Sequence, residues 1–475
     1  MTSYATTPAT ATTRVAAPAR ARRVPLSAQA WNAAAIAVIW LTSLFVVALW
    51  VAGGGLEALA GMNGEAITTL GRVTGLVSAN LLLYQVLLMA RVPLFERGFG
   101  RDAITRMHRL VGFWSFWLLL AHIALIATGY AVTAQLNVFV QLWTLIVDYP
   151  GMLLATAGTL LLILVIATSI RRARKKLRYE SWHLLHLYGY LGVGLALPHQ
   201  LWTGADFLSS PLATFYWWTL WAVAAACVVV FRIGMPLLRS WRHGLKVVGV
   251  APDGGQGVAV RVTGRDLHRL GAKPGQFFVW RFLDGAGWTR GNPFSLAAAP
   301  RAGALDISAR VVGDGTDRLR RLAPGTRVLV EGPYGRMTGD ERTGSKLLMI
   351  AAGAGVAPLV SILEGERFAP GDATLVTRDH DPAAGMRRDA IRELVERRGL
   401  RHFELPGPRA QGASSWLPAS HAQWRGRDLV RYLASDIDAY DAFVCGPQPW
   451  MDAVVRDLRA AGMPAHAIHT ESFTV

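Results

Sequence analysis

The chain has 475 residues, 49 Lys and Arg against 32 Asp and Glu, and a formal net charge of +17. Hydrophobic residues make up 52% and charged residues only 17%, below the roughly 25% of soluble domains; this excludes a disordered protein or a nucleic-acid-binding tail and indicates a membrane protein. Its two cysteines, Cys227 and Cys445, are too few for a disulfide framework, a Cys-rich zinc site or an iron–sulfur cluster.

The composition changes near residue 242. Residues 1–242 hold 19 Lys or Arg and 7 Asp or Glu, a net charge of +12, whereas residues 243–475 hold 30 and 25, a net charge of +5. The first part is apolar with basic spots, and the second has the composition of a soluble enzyme. Residues 1–28 are rich in Ala, Thr and Pro and are predicted to be disordered.

Six apolar runs follow, each near the ~20 residues that cross a bilayer. They are Trp31 to Val51, 66–90, 107–131, 150–170, 181–201 and 213–236. Buried core helices are the alternative, but six runs of this length favour membrane spans. No cleavage site follows the first run, which we interpret as a retained helix rather than a signal peptide. The sequence predicts an all-α, six-helix membrane domain over residues 29–242.

Basic residues predict the orientation. The connections 53–65, 132–148 and 202–212 on one side contain no Lys or Arg. The other side carries basic residues in every segment: Arg14, Arg20, Arg22, Arg23, Arg91, Arg97, Arg101, Arg106 and six between 171 and 178. By the positive-inside rule, both termini of this integral protein of the cell membrane are predicted to be cytoplasmic.

Five of the 12 histidines lie on the third and fifth runs: His108, His122, His183, His186 and His199. A single membrane histidine often bonds a neighbouring helix, but five on two helices favour metal ligands. His108 and His122 are 14 residues apart, so they share a helix face about 21 Å apart along the axis. In a core of ~30 Å, this spacing suits axial ligands of two stacked haems.

The fifth run fits this pattern less simply. His186 and His199 are 13 residues apart, about 140° out of register on an ideal helix. Pro198 is expected to break the helix and re-aim His199. His183 is a spare histidine that would bond a carbonyl or a haem propionate, or replace His186 as ligand. Gly112, one turn after the first histidine of the third run, is expected to leave room for a macrocycle.

Histidines spaced by 14 residues on the third helix and by 13 on the fifth resemble the ferric reductase and NADPH oxidase superfamily. The resemblance extends from about residue 66 to the C-terminus. It implies two b-type haems bridging the two helices: His108 and His186 would bind the inner haem, and His122 and His199 the outer one.

Short strand-like runs over residues 243–335 are typical of a small antiparallel β-barrel. They are Leu245–Val250, Gly257–Val262, Gln276–Phe282 and Ala304–Val312. Arg290, Arg310 and the Gly-rich helix start Gly313–Thr316 offer hydrogen-bond donors for a pyrophosphate, although Gly-Asp-Gly is also a common hairpin turn. We place the barrel at residues 243–340.

The stretch Asn292-Pro-Phe-Ser-Leu is similar to the flavin motif of the same superfamily, with Asn292 in place of the usual His. Glu331-Gly-Pro-Tyr-Gly335 resembles the stretch that closes the flavin domain in ferredoxin-reductase-like folds. The resemblance implies FAD bound by this barrel. The predicted FAD-binding residues are Arg290, Asn292, Pro293, Phe294, Ser295, Arg310, Gly315 and Thr316.

Residues 341–475 alternate strands and helices, an α/β pattern. After a buried strand, Gly353 and Gly355 let a phosphate approach backbone N–H groups, and Pro358 suits a first helical turn. This stretch and Cys445-Gly-Pro resemble the nicotinamide-dinucleotide segments of the superfamily, although Cys445 would also suit a buried structural role. The predicted nucleotide-binding residues are Gly353, Gly355, Pro358, Arg378, Cys445, Gly446 and Pro447.

Arg378 follows the predicted second strand, Asp372–Thr377. It would pair with a 2′-phosphate, whereas Asp379 would accept a hydrogen bond from a ribose hydroxyl; surface charge is the alternative for both. The sequence leans to NADPH over NADH. In the superfamily a near-terminal aromatic residue can cover the flavin ring, which implies that role for Phe473.

Arg72 is the only Lys or Arg in the outer half of the membrane by this topology. An unpaired arginine at mid-depth costs roughly 2.5 kcal/mol or more. Snorkelling to the outer interface is one explanation. The other is a role at the outer haem, where Arg72 would pair with a propionate or stabilise negative charge on a bound acceptor.

The preferred hypothesis is an NAD(P)H-dependent oxidoreductase that moves electrons through FAD and two b-type haems to an acceptor outside, a ferric chelate or oxygen. The alternatives are a membrane-anchored flavin reductase serving a cytoplasmic partner, with structural histidines, and a non-enzymatic haem sensor. The expected partners are a small-molecule acceptor and the lipid bilayer, not nucleic acid, and self-association is left open.

Overall fold

The computed structural model describes residues 28–61, 63–177, 179–285, 290–409 and 415–472, so most of the segment predicted to be disordered lies outside them. The N-terminal region is helical. Its helices are α1 (Ala28–Ala52), α2 (Gly55–Ala60), α3 (Gly64–Met89), α4 (Pro93–Phe99), α5 (Arg101–Ala134), α6 (Val138–Asp148), α7 (Met152–Ser169), α8 (Arg171–Lys176), α9 (Tyr179–Trp202), α10 (Pro211–Cys227) and α11 (Met235–His243). A π-helical stretch, Val228–Gly234, joins the last two.

Several of these helices suit a membrane. Five described segments are long and apolar enough to cross one: Ala33–Ala52, Gly64–Met89, Ala103–Ala134, Met152–Ser169 and Pro211–His243. They match five of the six predicted runs. The sixth run forms α9, a helix of 24 residues, whose polar content includes His183, His186 and His199.

Small residues set the closest helix contacts. A Cβ built on Gly158 of α7 would lie 2.6 Å from the carbonyl oxygen of Gly192 in α9. A Cβ on Gly129 of α5 would lie 2.6 Å from the backbone nitrogen of Thr68 in α3. Such residues let helix backbones approach closely in a bilayer. Helix α3 therefore packs along α5, and α7 along α9, so the two helices rich in histidine belong to different pairs.

Two expectations about this region need correction. Pro198 does not break the fifth helix, because α9 continues through it to Trp202; membrane helices tolerate an internal proline when the freed backbone groups find other partners. The connection 132–148 is not only a loop, because it contains helix α6. The side chain of Asn137 caps this helix by accepting a hydrogen bond from the backbone nitrogen of Phe139 at 2.9 Å.

Two three-stranded antiparallel sheets follow, in the orders β1-β2-β5 and β4-β3-β6. The strands are β1 (Lys246–Pro252), β2 (Gly257–Thr263), β3 (Phe277–Phe282), β4 (Asn292–Ser295), β5 (Leu305–Arg310) and β6 (Val328–Tyr334). Bridges between Lys246 and Arg327 and between Leu296 and Ile307 connect the sheets. One buried core, which includes Phe278 and Trp280, lies between them. A single turn of helix, α12 (Asp314–Asp317), follows β5.

The C-terminal part is a five-stranded parallel sheet in the order β11-β10-β7-β8-β9. Its elements are β7 (Lys346–Ala352), α13 (Val356–Gly365), β8 (Ala373–Arg378), α14 (Arg388–Arg398), β9 (Arg401–Glu404), α15 (Gly426–Leu433), β10 (Tyr440–Gly446), α16 (Gln448–Ala461) and β11 (Ile468–Ser472). The chain therefore joins a helical region with several apolar helices to a C-terminal β/α region. Ligands of open α/β sheets bind at the carboxyl ends of the strands.

Asp441 lies at the amino ends of these parallel strands, opposite the end where ligands of such sheets bind. Its fully buried carboxylate accepts hydrogen bonds from the backbone nitrogens of Thr343, at 2.8 Å, and Gly344, and from Nε2 of His469 at 2.8 Å. Burial would raise the pKa of Asp441, but these bonds outweigh it and hold the pKa below its ordinary value. The stability that Asp441 contributes is therefore present above its ordinary pKa and lost as the pH falls through the acid range.

We expect Asp441→Asn to lower the free energy of unfolding of the C-terminal β/α part by about 3 kcal/mol, because the amide leaves buried donors unpaired. Calorimetry of the purified chain would measure the shift, which should shrink toward acid pH. The control is Asp436→Asn, which breaks an exposed pair with Lys346 and should change little. Equal effects of the two substitutions would contradict the prediction.

Candidate functional site

His108 of α5 and His186 of α9 face each other in the N-terminal third of their helices. Their ring centroids are 6.0 Å apart, with the ring planes at 63°. Nδ1 of His186 lies 3.2 Å from the hydroxyl of Ser169. Nδ1 of His108 is buried, and no described residue bonds it. The structure thus brings together the two residues predicted to bind the inner haem.

His122 and His199 lie toward the other ends of the same helices, and His199 is within electrostatic range of His122. Nδ1 of His122 is 2.7 Å from the carbonyl oxygen of Gly71, and Nδ1 of His199 is 2.5 Å from that of Ala196. Because a carbonyl only accepts, Nδ1 carries the hydrogen in each ring. Nε2 of both rings therefore keeps a lone pair for a metal.

The inner pair, His108 and His186, has the separation expected of two imidazoles that share one transition metal. An imidazole nitrogen binds a transition metal at roughly 2.0–2.1 Å, so two imidazoles on opposite sides of one metal have centroids about 6 Å apart. The separation of His108 and His186 matches this value. Carbonyl acceptors on Nδ1, as at His122 and His199, orient a ligand ring and raise its basicity. Among the described residues, no group of three or more His, Cys, Asp or Glu side chains could hold a metal ion.

Gly112 does not leave open space, in contrast to the sequence expectation. A Cβ built at this position would collide with the side-chain amide of Gln85 in α3. The glycine therefore serves the contact between α3 and α5.

The predicted flavin motif forms β4 and Leu296, the residue after it. Nε1 of Trp280 donates to the carbonyl oxygen of Phe294 at 3.0 Å, and Ser295 is buried. Pro293 pairs with Val279 across the sheet. The side-chain amide of Asn292 lies 3.4 Å from the carbonyl oxygen of Arg290, so Asn292 contacts the residue two positions before it.

Arg310 brings the two predicted cofactor regions together. A Cβ built on Gly353, which follows β7 with φ +54°, would lie 3.6 Å from Nη1 of Arg310 in β5. Nη2 of Arg310 donates to Gln256 at 3.0 Å.

The hydroxyl of Thr316 accepts a hydrogen bond from the backbone nitrogen of Val312 at 2.9 Å. A Cβ on Gly315 would lie 3.8 Å from Oδ1 of Asn292, so this turn adjoins the flavin motif.

The glycine-rich turn after β7 also meets the end of β10. A Cβ on Gly355 would lie 2.5 Å from the carbonyl carbon of Cys445. The thiol of Cys445 is fully buried and donates to the carbonyl oxygen of Glu471 at 3.4 Å. Burial raises its pKa well above the ordinary value, which favours the structural alternative for this thiol.

The remaining residues of these motifs lie at or after the carboxyl ends of β7 and β10. Gly446 packs beside Trp450, Pro447 precedes α16, and Pro358 lies in the first turn of α13. Of the two predicted glycines in this turn, Gly353 is partly exposed, whereas Gly355 is buried against the end of β10.

Arg378 is the last residue of β8 rather than the residue after it, and its side chain is buried. Its Nη1 donates to the carbonyl oxygens of Asp379 at 2.7 Å and Leu405 at 3.3 Å. Asp379 and Arg388 line a small pocket beside it, together with His402. Burial raises the pKa of the Asp379 carboxyl against the opposing charges of Arg310, Arg378 and Arg388. Arg378, the residue predicted to pair with a 2′-phosphate, therefore donates hydrogen bonds to two main-chain carbonyls. Arg388 is a second cation, and it lines the pocket.

A charge cluster that sequence reasoning missed joins the helices to β6. Arg91, just after α3, lies 4.0 Å from the Glu331 carboxylate, and its guanidinium lies 4.9 Å from the centroid of the Tyr334 ring. Nη1 of Arg281 donates to Glu331 at 2.5 Å. Burial would raise the pKa of Glu331, but Arg91, Arg281 and Arg232 hold it below the ordinary value. The motif containing Glu331 was recognised in the sequence, but nothing there identified its partner.

Further contacts cross the same interface. Nη1 of Arg336 donates to the carbonyl oxygen of Gly98 at 3.1 Å, and Arg239 donates to the carbonyl oxygen of Gly332. His183 of α9 is within electrostatic range of Arg232, Arg281 and Arg91. The spare histidine therefore lies where the membrane helices meet the β-sheets.

Arg72 has a partner that the sequence did not suggest. Its Nε and Nη2 donate to the two carboxylate oxygens of Asp206 at 2.7 and 2.6 Å. Asp206 belongs to the connection between α9 and α10. At the other end of the chain, Phe473 lies outside the described residues, while Glu471 lies beside Gly335.

Comparisons with known proteins match the two parts of the chain separately. A family model described as "Ferric reductase like transmembrane component" matches residues 74–197. This range contains His108, His122 and His186, and His199 lies two residues beyond it.

Curated relatives resemble the C-terminal part. The chain is 32% identical over 202 residues to the probable dihydroorotate dehydrogenase B (NAD(+)), electron transfer subunit, of Methanothermobacter thermautotrophicus, covering 42% of this chain and 66% of that protein. It is 27% identical over 206 residues to the ferredoxin reductase component of 3-ketosteroid-9-alpha-monooxygenase from Rhodococcus rhodochrous, covering 42% and 56%. The chain thus spans less than two thirds of the length of these relatives.

Among solved structures, the ferredoxin reductase in carbazole 1,9a-dioxygenase is 22% identical with a TM-score of 0.39, covering 49% of this chain and 69% of that one. The family match and the curated relatives agree with the superfamily expected from the sequence. The chain therefore combines a segment similar to a ferric reductase-like transmembrane component with a C-terminal part similar to ferredoxin reductase components and electron transfer subunits.

Proposed function

We propose that this protein moves electrons from cytoplasmic NAD(P)H, through FAD and two b-type haems, to an acceptor outside the membrane, either a ferric chelate or oxygen. The observation that carries the proposal is the facing pair His108 and His186, with ring centroids 6.0 Å apart on two neighbouring membrane helices. When bound, FAD accepts a hydride and releases single electrons, which haem iron takes up one at a time.

The described side chains have distinct roles in this proposal. The His108–His186 pair binds the haem nearer the β-sheets, and the His122–His199 pair the haem farther from them. Glycines after β7 admit the nucleotide phosphates to the backbone, and Arg310, close to Gly353, places a positive charge between the phosphates of the two cofactors.

The proposed topology has six crossings, with α9 completing the five apolar segments, and both termini in the cytoplasm. The basic residues before α4, within α8 and near α11 favour this orientation. The contact between Arg91 and Glu331 supports it, because it places the flavin domain against the basic side of the helices.

The test uses the full chain purified in detergent or in nanodiscs. An absorption spectrum should show six-coordinate, low-spin haem at about two per chain, with about one FAD. Anaerobic NAD(P)H should reduce both haems. Absence of haem from well-folded, flavin-loaded protein would contradict the proposal.

A second candidate function is a membrane-anchored reductase that passes electrons to a cytoplasmic protein. The names of the relatives favour it, because two of them are an electron transfer subunit and a ferredoxin reductase component. In vesicles with the β-sheet domains outside, this candidate would reduce a ferredoxin-type partner added outside and leave an enclosed acceptor untouched. The preferred function requires reduction of the enclosed acceptor.

The choice of nucleotide gives a separate prediction. We propose a preference for NADPH, with Arg378 and Arg388 as the cations near the 2′-phosphate. Arg378→Ala is expected to raise the KM for NADPH several-fold more than that for NADH, and Arg388→Ala to act in the same direction because Arg388 lines the pocket beside Asp379. Steady-state kinetics with an artificial acceptor would measure both constants. Equal effects on NADPH and NADH would count against the preference.

A further inference from the structure

The imidazoles of the outer pair bond backbone carbonyls through Nδ1, whereas those of the inner pair do not. His122 and His199 each bond a backbone carbonyl through Nδ1, at 2.7 and 2.5 Å. By contrast, Nδ1 of His186 lies 3.2 Å from a serine hydroxyl. Nδ1 of His108 has no hydrogen-bond partner among the described residues, although His108 interacts with the backbone of Gln85. A fixed carbonyl on Nδ1 sets one tautomer and one ring direction, so Nε2 of each outer histidine keeps its lone pair for a metal.

The bond between His122 and the Gly71 carbonyl depends on a second glycine. Gly75 lies one turn after Gly71 on the same face of α3. A Cβ built on Gly75 would lie 2.7 Å from Cε1 and 2.9 Å from Cγ of His122, closer than real Cβ atoms approach other atoms. The rigid imidazole cannot bend away from such a methyl group. Any side chain at position 75 would therefore push the ring off the carbonyl.

A similar contact exists at His199. Gly151, at the N-terminus of α7, has φ +80°, a conformation that favours glycine. A Cβ built there would lie 2.8 Å from the backbone nitrogen and 2.9 Å from Cα of His199. This contact presses on the ligand's main chain rather than its ring, and it comes from a different helix.

We propose that Gly75 and Gly151 are positioning residues for the outer haem: they fix the imidazoles of His122 and His199 so that both Nε2 atoms face one metal. The inference rests on the proposed function. It concerns only the outer site, because the inner pair has no comparable glycine contact. Loss of either glycine should therefore remove the outer haem and leave the inner haem in place.

The test is Gly75→Ala in the full chain, with haem and flavin counted per protein. We expect haem to fall from about two to about one per chain with FAD unchanged, and the remaining haem to be reduced by NAD(P)H. Its spectrum and midpoint potential should equal those of the haem retained in His122→Ala. The matched control is Gly194→Ala in α9, where a Cβ meets no atom within 4 Å and both haems should remain.

Gly151→Ala provides the second arm and should give the same one-haem spectrum, even if Gly75→Ala yields no folded protein. Two haems with unchanged spectra and potentials in either folded variant would overturn the inference, as would loss of both haems with FAD retained. Failure of the proposed function has a different signature, because the unsubstituted protein would then lack haem or His122→Ala would keep both haems.

Discussion

Alanine at His122 or His199 is expected to leave about one haem per chain, and so is alanine at His108 or His186. Each substitution removes one of two axial nitrogens, and the lost bond has no substitute in the low-polarity interior of the helices. Haem would be measured per chain as the pyridine complex, with FAD content as the check that the β-sheet domains are folded.

Substitutions in the two histidine pairs should differ in whether NAD(P)H can still reduce the remaining haem. Loss of the outer haem leaves NAD(P)H able to reduce the inner one, whereas loss of the inner haem interrupts the route from flavin to the outer haem. The control is His183→Ala, which should keep both haems, because the charged groups within electrostatic range of His183 include Arg232, Arg281 and Arg91 at the interface with the β-sheets. Full haem content in His199→Ala would contradict the assignment.

Hydropathy and spacing predicted much of this architecture. Five of the predicted apolar runs form long helices. The bounds of the four predicted strands are close to those of β1, β2, β3 and β5. The run 181–201 also forms a helix, α9, but this helix is not among the five described segments that are apolar enough to cross a membrane. The 13-residue spacing on α9 also suggested a broken helix, but the helix passes through Pro198, and a bond to the Ala196 carbonyl aims the ring of His199.

Contacts between distant segments were beyond the sequence. Spacing places His122 on a face of its helix, but it does not reveal that the carbonyl of Gly71, 51 residues earlier, sets its tautomer. Nor does it reveal that Gln85 fills the space beside Gly112 or that Glu331 pairs with Arg91. Each of these depends on how separate elements pack, which no local pattern encodes.

The ion pair between Arg72 and Asp206 is another contact that the sequence did not reveal. An arginine in the outer half of a membrane is costly unless paired. The bidentate bond to Asp206 meets that need, with the Arg72 side chain 38% and the Asp206 side chain 14% exposed. Arg72 also directly follows Gly71, whose carbonyl bonds the outer ligand His122. In the proposed topology, Arg72 therefore lies next to the backbone group that holds His122, and its side chain remains partly exposed.

We expect Arg72→Ala to keep both haems and flavin reduction but to slow reoxidation of the outer haem by roughly tenfold, about 1.4 kcal/mol in the barrier. The reason is that a positive charge stabilises the negative charge that develops on an acceptor as the electron arrives. Stopped-flow reoxidation of prereduced protein by oxygen and by ferric chelates would measure the rate.

Two controls separate charge from structure. Asp206→Asn breaks the same ion pair but keeps the cation, so reoxidation should stay near the unsubstituted rate, and Arg72→Lys should recover part of it. If the pair only supports the fold, Arg72→Ala and Asp206→Asn should instead behave alike, because each removes the same bidentate contact. Unchanged reoxidation of Arg72→Ala by every acceptor would likewise leave Arg72 a structural role beside Asp206, and the acceptor site would have to be sought elsewhere on the outer surface.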